Sequence, residues 1–143
     1  MKQLIPYLNF NGQCKEALAF YQSCFKDAEV AMQTFASANI ADIPPEIKDN
    51  VMHAEFKSEG FMFMATDGQD KSDYNQGNNI HLNLQMDSTE EQIELFDKLA
   101  VGGSIVMPLQ QTFWNARFGM LTDKFGIQWM LNVLINPEHS PNN

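Results

Sequence analysis

Residues 112–132, TFWNARFGMLTDKFGIQWMLN, decide the predicted fold. They predict two antiparallel strands, at residues 116–122 and 127–134, joined by the turn DKFG at residues 123–126. The last turn residue is a glycine, which accepts the positive φ that such turns require. Alternate residues of a strand point to opposite faces, so one face of the second strand packs on helices and the other is suited to a ligand site. The apolar face comprises Ile127, Trp129, Leu131 and Val133, and the other comprises Gln128, Met130 and Asn132.

The composition is that of one globular domain. The chain has 143 residues, of which 44% are hydrophobic and 19% are charged, so a buried core is expected and disorder is not. The net charge of -9 argues against binding to nucleic acid or to an anionic membrane surface. Because no apolar run approaches the length of a membrane span, no membrane segment is predicted.

The N terminus and the cysteines predict a cytoplasmic protein. Residues 1–3 run directly into a predicted strand, so we expect no secretory leader. Cys14 and Cys24 are predicted on one helix, with Cα atoms roughly 15 Å apart at the helical rise, which is too far for a disulfide. We therefore expect small buried residues or free thiols in a reducing compartment.

The first half of the chain predicts the element order βαβββ. Its strands are expected at residues 4–10, 28–35, 51–57 and 61–65. Asn11 and Gly12 form a turn and helix cap, and the helix that follows continues to about residue 25. The connection at residues 37–50 is either a lid or an ordinary surface loop. The buried stripe of the helix is predicted to comprise Cys14, Ala17, Leu18, Tyr21, Cys24 and Phe25.

The second half of the chain repeats this order. Strands are expected at residues 80–86, 104–113, 116–122 and 127–134. The capping box STEE at residues 88–91 opens a helix, and Gly102-Gly103 ends it. The buried stripe of this helix is predicted to comprise Ile93, Phe96, Leu99 and Ala100.

The repetition predicts an α+β fold in which two βαβββ modules form curved mixed sheets. The modules span about residues 1–66 and 79–135, within one domain at residues 1–136. A Gly/Asn/Asp-rich linker at about residues 67–78 joins them, and residues 137–143 are expected to be a flexible tail.

Two segments resemble a known family. They are YLNFNGQCKEALAFY at residues 7–21 and the pattern TFWxxxFGxxTDKFGxxWMxN at residues 112–132. Both closely resemble the PhnB-like family of the glyoxalase/bleomycin-resistance/dioxygenase (vicinal oxygen chelate) superfamily, and the resemblance covers nearly the whole chain. It implies paired βαβββ modules, usually completed as a homodimer with a cavity in each cupped sheet. Unrelated chemistries share this fold.

The same resemblance implies where a metal ion would sit. In the superfamily's metalloenzymes, His and Glu side chains from four strands hold a divalent ion. A thioether and a single imidazole do not hold a divalent ion against water, so we predict no metal and no cofactor. The matching positions in this chain are Ile5, Phe63 or Met64, His81 and Met130.

A second group of residues is a candidate metal site. His53 and Glu55 share one face of the third strand, and together with His81 they have the composition of a two-histidine, one-carboxylate site. The simpler interpretation is a solvated strand face, HAEFK, at residues 53–57. His81 is also a candidate general base if a neighbour orients it.

The predicted ligand site combines two groups of residues. The strand residues share parity with the metal-ligand positions, and the other two come from the family-like TFWNAR segment. Trp114 would stack on a planar ligand and Arg117 would clamp a carboxylate or phosphonate, the alternatives being a core plug and a surface or interface charge. The predicted ligand-binding residues are Tyr7, Asn9, His81, Asn83, Gln85, Trp114, Arg117, Gln128 and Met130.

The predicted function is binding of a small, partly apolar molecule without a metal, as in the antibiotic-sequestering relatives. The first alternative is a metal-dependent lyase, isomerase or dioxygenase, and the second is a structural or regulatory dimer with an empty cavity. Such domains also carry a methyltransferase label for ubiquinone biosynthesis. We disfavour that activity because no Gly-rich turn follows a predicted strand and no doubly wound parallel sheet is expected.

Overall fold

The computed structural model describes residues 1–70 and 72–135 and divides the chain into two units, Met1–Asn75 and Gln76–Asn143. The first unit contains β1 (Tyr7–Asn9), α1 (Cys14–Cys24), β2 (Glu29–Thr34), a short 3-10 helix (Pro45–Ile47), β3 (Val51–Ser58) and β4 (Phe61–Thr66). The second contains β5 (Leu82–Met86), α2 (Thr89–Ala100), β6 (Ser104–Gln111), β7 (Ala116–Thr122) and β8 (Gln128–Leu134). The flexible tail predicted at residues 137–143 lies outside the described residues.

Each unit holds one four-stranded mixed sheet, and the two sheets have the same topology. The strand orders are β1-β4-β3-β2 and β5-β8-β7-β6. In each sheet the first pair is parallel and the other two pairs are antiparallel. A parallel pair needs a long crossover, whereas antiparallel neighbours are joined by short turns, so both sheets follow directly from the order βαβββ. The predicted α+β fold of two βαβββ modules is confirmed.

An aromatic cluster forms the core of the first unit. Tyr21 of α1 meets the rings of Phe56 and Phe63 edge-on, at centroid distances of 6.3 and 5.9 Å, and these two rings stack at 4.7 Å. Edge-to-face and offset contacts of this kind add about 1 kcal/mol each to the effect of burial. Cys14 and Cys24 are both buried on α1, as predicted, and no disulfide joins them.

The hairpin of β7 and β8 has the predicted alternation. Trp129, Leu131 and Val133 are buried, whereas Gln128 and Met130 are half-buried on the other face. Among the described residues, neither helix is long and apolar enough to cross a membrane.

Two strands are less regular than their sequences predict, and a proline stands at each irregularity. β1 is only three residues long, although its pairing extends to Pro6, whose carbonyl accepts a hydrogen bond from Met64 N at 2.9 Å. β6 is an edge strand whose register shifts between Met107 and Gln110, around Pro108. Proline has no N–H to donate, so it interrupts a ladder or lies at its edge.

The buried face of α2 differs from the prediction at two positions, since Ile93 is exposed and Ala100 is only half-buried. The buried residues are Gln92, Leu95, Phe96 and Leu99. Ser88 caps the helix as expected, since its hydroxyl accepts a hydrogen bond from Glu91 N at 3.2 Å. However, Ile93 is 40% exposed and Gln92 is fully buried in its place. The Gln92 side-chain amide donates to the carbonyls of Arg117 and Leu131, at 2.8 and 3.0 Å. The assignment of Ile93 to the buried stripe was therefore wrong, because a polar side chain finds two backbone acceptors there.

Replacing Gln92 by leucine is expected to lower the free energy of unfolding by about 2 kcal/mol, since two buried carbonyls lose their donor. Urea denaturation followed by tryptophan fluorescence measures the change, because Trp114 and Trp129 both lie in the same unit as α2. The control is Ile93→Ala, which is expected to cost less than about 1 kcal/mol at its partly exposed position. A larger loss for Ile93→Ala than for Gln92→Leu would contradict this account of α2.

Candidate functional site

The face of the second sheet that points away from α2 carries neutral polar and thioether side chains, and we call it the amide face. Strand pairing places its residues in two rows. Asn83, Met130, Met120 and Met107 form one row, and Gln85, Asn132, Phe118 and Gln110 form the other. Gln128 extends the same face at the start of β8. The sheet therefore brings together four predicted site residues, which are Asn83, Gln85, Gln128 and Met130.

A hydrogen-bonded amide pair lies in the second row of the amide face. The Asn132 side-chain nitrogen donates to Gln85 Oε1 at 3.0 Å. The other amide atom, Asn132 Oδ1, is buried and finds no hydrogen-bond partner within the described part of the chain. A buried carbonyl without a donor costs about 1–3 kcal/mol, so a ligand N–H or O–H placed there would be favourable.

Gln128 and His81 lie near the start of the parallel pair of β5 and β8. The Gln128 side chain donates to the carbonyl of Ile80 at 2.7 Å, which ties it to the segment entering β5. His81 is half-buried and forms no hydrogen bond or ion pair with any described residue. No neighbour orients His81 within residues 1–70 and 72–135, so its candidate role as a general base lacks the positioning partner that such a role requires.

Aromatic side chains border the amide face at the connection from β6 to β7. Trp114 is half-exposed, and its ring meets Phe113 at a centroid distance of 4.9 Å and Phe118 at 6.0 Å. Phe118 belongs to the amide face, next to Asn132 in the sheet. The positive φ of Asn115, 57°, turns the chain here, and Thr112 N bonds to the carbonyl of Ala116. The indole of Trp114 therefore lies beside the row of the amide face that contains Asn132.

Arg117 lies on the opposite face of the second sheet. It pairs with Val133, whose side chain is buried on the α2 side. Its Nε is buried and has no hydrogen-bond partner among the described residues, while its carbonyl accepts from Gln92. The structure thus does not bring Arg117 together with Met130 or Asn132.

In the first unit, a row of ionisable side chains lies on the face that points away from α1. We call this surface the Tyr7 face, and its residues are Tyr7, Asn9, His53, Glu55, Lys57, Met62 and Met64. Tyr7 Oη lies 2.8 Å from His53 Nδ1. His53 Nε2 lies 3.8 Å from Glu55 Oε2, and Glu55 Oε1 lies 3.9 Å from Lys57 Nζ. The side chains remain 36%, 39% and 59% exposed, in the order His53, Glu55 and Lys57.

The remaining predicted positions divide between core and surface. Asn9 is exposed, and its side-chain nitrogen donates to the carbonyl of Tyr7 at 3.4 Å. Phe63 is buried in the core, whereas Met64 pairs with Tyr7 and Glu55 on the Tyr7 face. Within residues 1–70 and 72–135, no three His, Cys, Asp or Glu side chains are grouped so that they could hold a metal ion.

Comparison with known proteins identifies relatives over almost the full chain. The sequence model of the family described as 3-demethylubiquinone-9 3-methyltransferase matches residues 2–132. Protein YjdN of Escherichia coli K12 is 31% identical over 147 residues, covering 92% of this chain and 95% of YjdN.

Solved structures agree with this result. Protein PA1353 from Pseudomonas aeruginosa is 39% identical with a TM-score of 0.82, covering 95% of this chain and all of PA1353. A Bacillus cereus PhnB protein, described as a putative 3-demethylubiquinone-9 3-methyltransferase, is 29% identical with a TM-score of 0.78, covering 92% of this chain and 99% of its own. A glyoxalase/bleomycin resistance protein/dioxygenase family enzyme from Burkholderia phytofirmans shares the fold, with 16% identity, a TM-score of 0.61 and coverage of 90% and 97%.

Proposed function

Because the chain belongs to the PhnB-like family, whose fold is that of the glyoxalase/bleomycin-resistance/dioxygenase proteins, we propose that it binds a small molecule on the amide face without a catalytic metal. The observation that carries the proposal is the buried Asn132 Oδ1, which lacks a hydrogen-bond donor among the described residues. Gln85 fixes the orientation of this amide, and because Oδ1 is buried, a ligand donor reaches it when a neighbouring side chain of the amide face moves aside.

The surroundings of Asn132 indicate the chemical class of the ligand. Phe118 and the half-exposed Trp114 offer ring faces and edges, on which a flat molecule would pack. Met120 and Met130 offer flexible thioethers, which adapt to irregular apolar shapes. The amide face carries no charged residue in its two paired rows. We infer a neutral, partly apolar ligand that has at least one N–H or O–H group.

The family description names methyl transfer, and the sheet topology argues against extending this activity to the chain. Sites for dinucleotides and related cofactors in doubly wound folds lie at the carboxyl ends of parallel strands, beside a Gly-rich turn. Each sheet of this protein instead has one parallel and two antiparallel pairs. The proposed function is therefore binding, in a protein that we infer to be a cytoplasmic homodimer.

The alternative function is a metal-dependent lyase, isomerase or dioxygenase. It is favoured by one observation, the approach of His53 Nε2 to Glu55 Oε2 at 3.8 Å on the Tyr7 face. It is disfavoured by the chemistry of the positions that the family comparison assigns to ligands, since Ile5 has no donor atom and Met130 offers only a soft, neutral thioether.

A thermal-shift screen separates the two functions. Purified protein is tested against divalent metals, organic acids, phosphonates and aromatic antibiotics, and its metal content is measured by elemental analysis. We expect a rise in Tm with an uncharged aromatic compound and no stoichiometric metal. About one metal ion per chain, lost in His81→Ala, would contradict the metal-free function.

Calorimetric titration of the best compound then tests the amide face. Asn132→Leu and Gln85→Leu are each expected to weaken binding by about tenfold, because a ligand donor loses its acceptor or the acceptor loses its support. Gln111→Leu is the matched control, since Gln111 pairs with Arg117 on the opposite face of the same sheet. If all three variants bound the compound as tightly as the unmodified protein does, the amide face would not be the binding site.

A further inference from the structure

We propose that Tyr7, His53 and Glu55 form a general acid–base triad on the Tyr7 face. In this triad the Tyr7 hydroxyl exchanges a proton with a small molecule that carries a hydroxyl or enol group. The inference goes beyond the proposed binding function, because it assigns a reaction step and rests on residues of the first unit alone.

The topology of the first sheet builds the triad. β4 lies between β1 and β3, and Met64 of β4 pairs with Tyr7 on one side and with Glu55 on the other. His53 precedes Glu55 by two residues on β3, so its side chain points to the same face. The Tyr7 and His53 side chains therefore meet across β4, with ring centroids 5.8 Å apart and Tyr7 Oη 2.8 Å from His53 Nδ1.

The contacts between the side chains of the Tyr7 face are consistent with proton movement from Tyr7 to His53. When the Tyr7 hydroxyl donates to Nδ1, the imidazole proton is on Nε2, which faces Glu55 Oε2 at 3.8 Å. The other Glu55 oxygen faces Lys57 Nζ at 3.9 Å. Glu55 therefore stabilises the imidazolium that forms when His53 accepts a proton, as the carboxylate does in other base–carboxylate pairs.

The step is balanced without any co-reactant. The ligand hydroxyl or enol transfers its proton to Tyr7 Oη, and the original Tyr7 proton moves to His53 Nδ1. One O–H bond of the ligand breaks, one O–H bond of Tyr7 is exchanged, and one N–H bond forms. The products are a ligand oxyanion and a His53 imidazolium, so the total charge is unchanged, and the reverse step returns the proton.

The side chains of the triad are far more exposed than the carboxylates that have a structural role. The structural carboxylates Asp67 and Asp123 are almost fully buried, whereas Tyr7 is 46% exposed and the His53 and Glu55 side chains are exposed by 36% and 39%. Ion pairs at such exposure contribute little to stability. The Tyr7 side chain is thus open to a ligand, while Met64 beside it and Met62 beside Lys57 supply apolar contact.

The reactivity of the Tyr7 hydroxyl toward benzenesulfonyl fluoride tests the triad. An S–O bond to Tyr7 forms, the S–F bond breaks, fluoride leaves and the phenol proton passes to His53. Tyr74 is an internal control in the same unit, because its hydroxyl donates to a backbone carbonyl, that of Asn9, at 3.4 Å. Peptide mass mapping is expected to show sulfonylation of Tyr7 at least about tenfold faster than that of Tyr74.

The variant His53→Gln removes the base but keeps a hydrogen-bond acceptor. It is expected to slow sulfonylation of Tyr7 by about tenfold, to near the rate of Tyr74, and to leave Tyr74 unchanged. Tyr7→Phe identifies the labelled peptide by abolishing its modification. Equal rates for Tyr7 and Tyr74 in the unmodified protein, or an unchanged Tyr7 rate in a folded His53→Gln, would overturn the proposal.

Nitrogen NMR of histidine-labelled wild-type protein supplies a second readout that needs no variant to fold. Neutral His53 is expected in the tautomer with the proton on Nε2, with Nδ1 showing the shift of a hydrogen-bond acceptor. Glu55 acts as a positioning residue, so Glu55→Gln is expected to reduce that tautomer preference and slow sulfonylation of Tyr7 several-fold. A proton on Nδ1 in the wild type would overturn the proposed direction of transfer.

Discussion

Replacing Asp67 by alanine is expected to lower the free energy of unfolding of the first unit by about 4 kcal/mol, because three backbone N–H groups lose a charged acceptor. The Asp67 carboxylate is 1% exposed. One oxygen accepts from Gly12 N and Cys14 N, at 2.8 and 3.0 Å, and the other accepts from Val51 N at 2.9 Å. It thus joins the start of α1 to the start of β3, and its negative charge lies at a helix N terminus, where the macrodipole favours it.

Hydrogen exchange in increasing urea, read by mass spectrometry on peptides from α1 and β3, measures this loss within the first unit. The matched control is Asp70→Ala, because Asp70 is exposed and its carboxylate accepts hydrogen bonds from the backbone N and the side chain of the exposed Ser72, which lower the Asp70 pKa. We expect Asp70→Ala to change stability by less than about 0.5 kcal/mol. Similar losses for the two variants would show that Asp67 does not join α1 to β3.

Replacing Asp123 by alanine is expected to lower the free energy of unfolding of the second unit by about 3 kcal/mol. Asp123 is buried in the turn between β7 and β8. One carboxylate oxygen accepts from Phe125 N and Ile127 N, at 2.8 and 3.1 Å, and the other accepts from Trp129 Nε1 at 2.9 Å. The side chain therefore holds both the turn and the largest buried ring of the sheet.

A double-mutant cycle with Trp129→Phe separates the two roles of Asp123. The pair Asp123–Trp129 is expected to have a coupling energy of about 1.5 kcal/mol, because phenylalanine removes the indole donor and leaves the turn bonds in place. Urea denaturation followed by circular dichroism measures all four proteins. Asp87→Ala, at an exposed position of the same unit, is the control and is expected to have little effect. If the losses in the free energy of unfolding were additive, the Asp123–Trp129 hydrogen bond would not contribute to stability.

The fold was predictable because its signals are local. The alternation of β8 and the helical stripe of α1 needed only the period of the apolar residues, and the repeated order βαβββ then limited the topology. Long-range polar contacts were not predictable in this way. Asn11 and Gly12 were expected to cap α1, yet Asp67 supplies the acceptor from a segment predicted as a linker. Gln92 replaces Ile93 inside because backbone carbonyls of two strands meet its amide.

The candidate site was predictable only where strand parity decides it. Parity alone places Asn83, Gln85, Gln128 and Met130 on one face, and the structure has them there. Parity also predicted Asn132 on this face, but it was not among the predicted ligand-binding residues, because its pairing with Gln85 depends on strand register, which the sequence does not specify.

Two further features of the candidate site depend on how the strands pair in the sheets. The contact of Tyr7 with His53 requires that β4 lies between β1 and β3, which is a property of the whole sheet. Arg117 was assigned from its segment rather than from its parity, and its pairing with Val133 places it on the other face.

The most direct test of the metal-free binding site is a side-chain amide NMR titration. Protein treated with EDTA is titrated with the compound that raises Tm most in the thermal-shift screen, and the ¹H–¹⁵N signals of its side-chain amides are followed. We expect the signals of Gln85 and Asn132 to shift together and to reach saturation, while the signal of Gln111 does not move. Binding that disappears after EDTA treatment, or a saturating titration in which Gln85 and Asn132 do not move, would contradict this expectation.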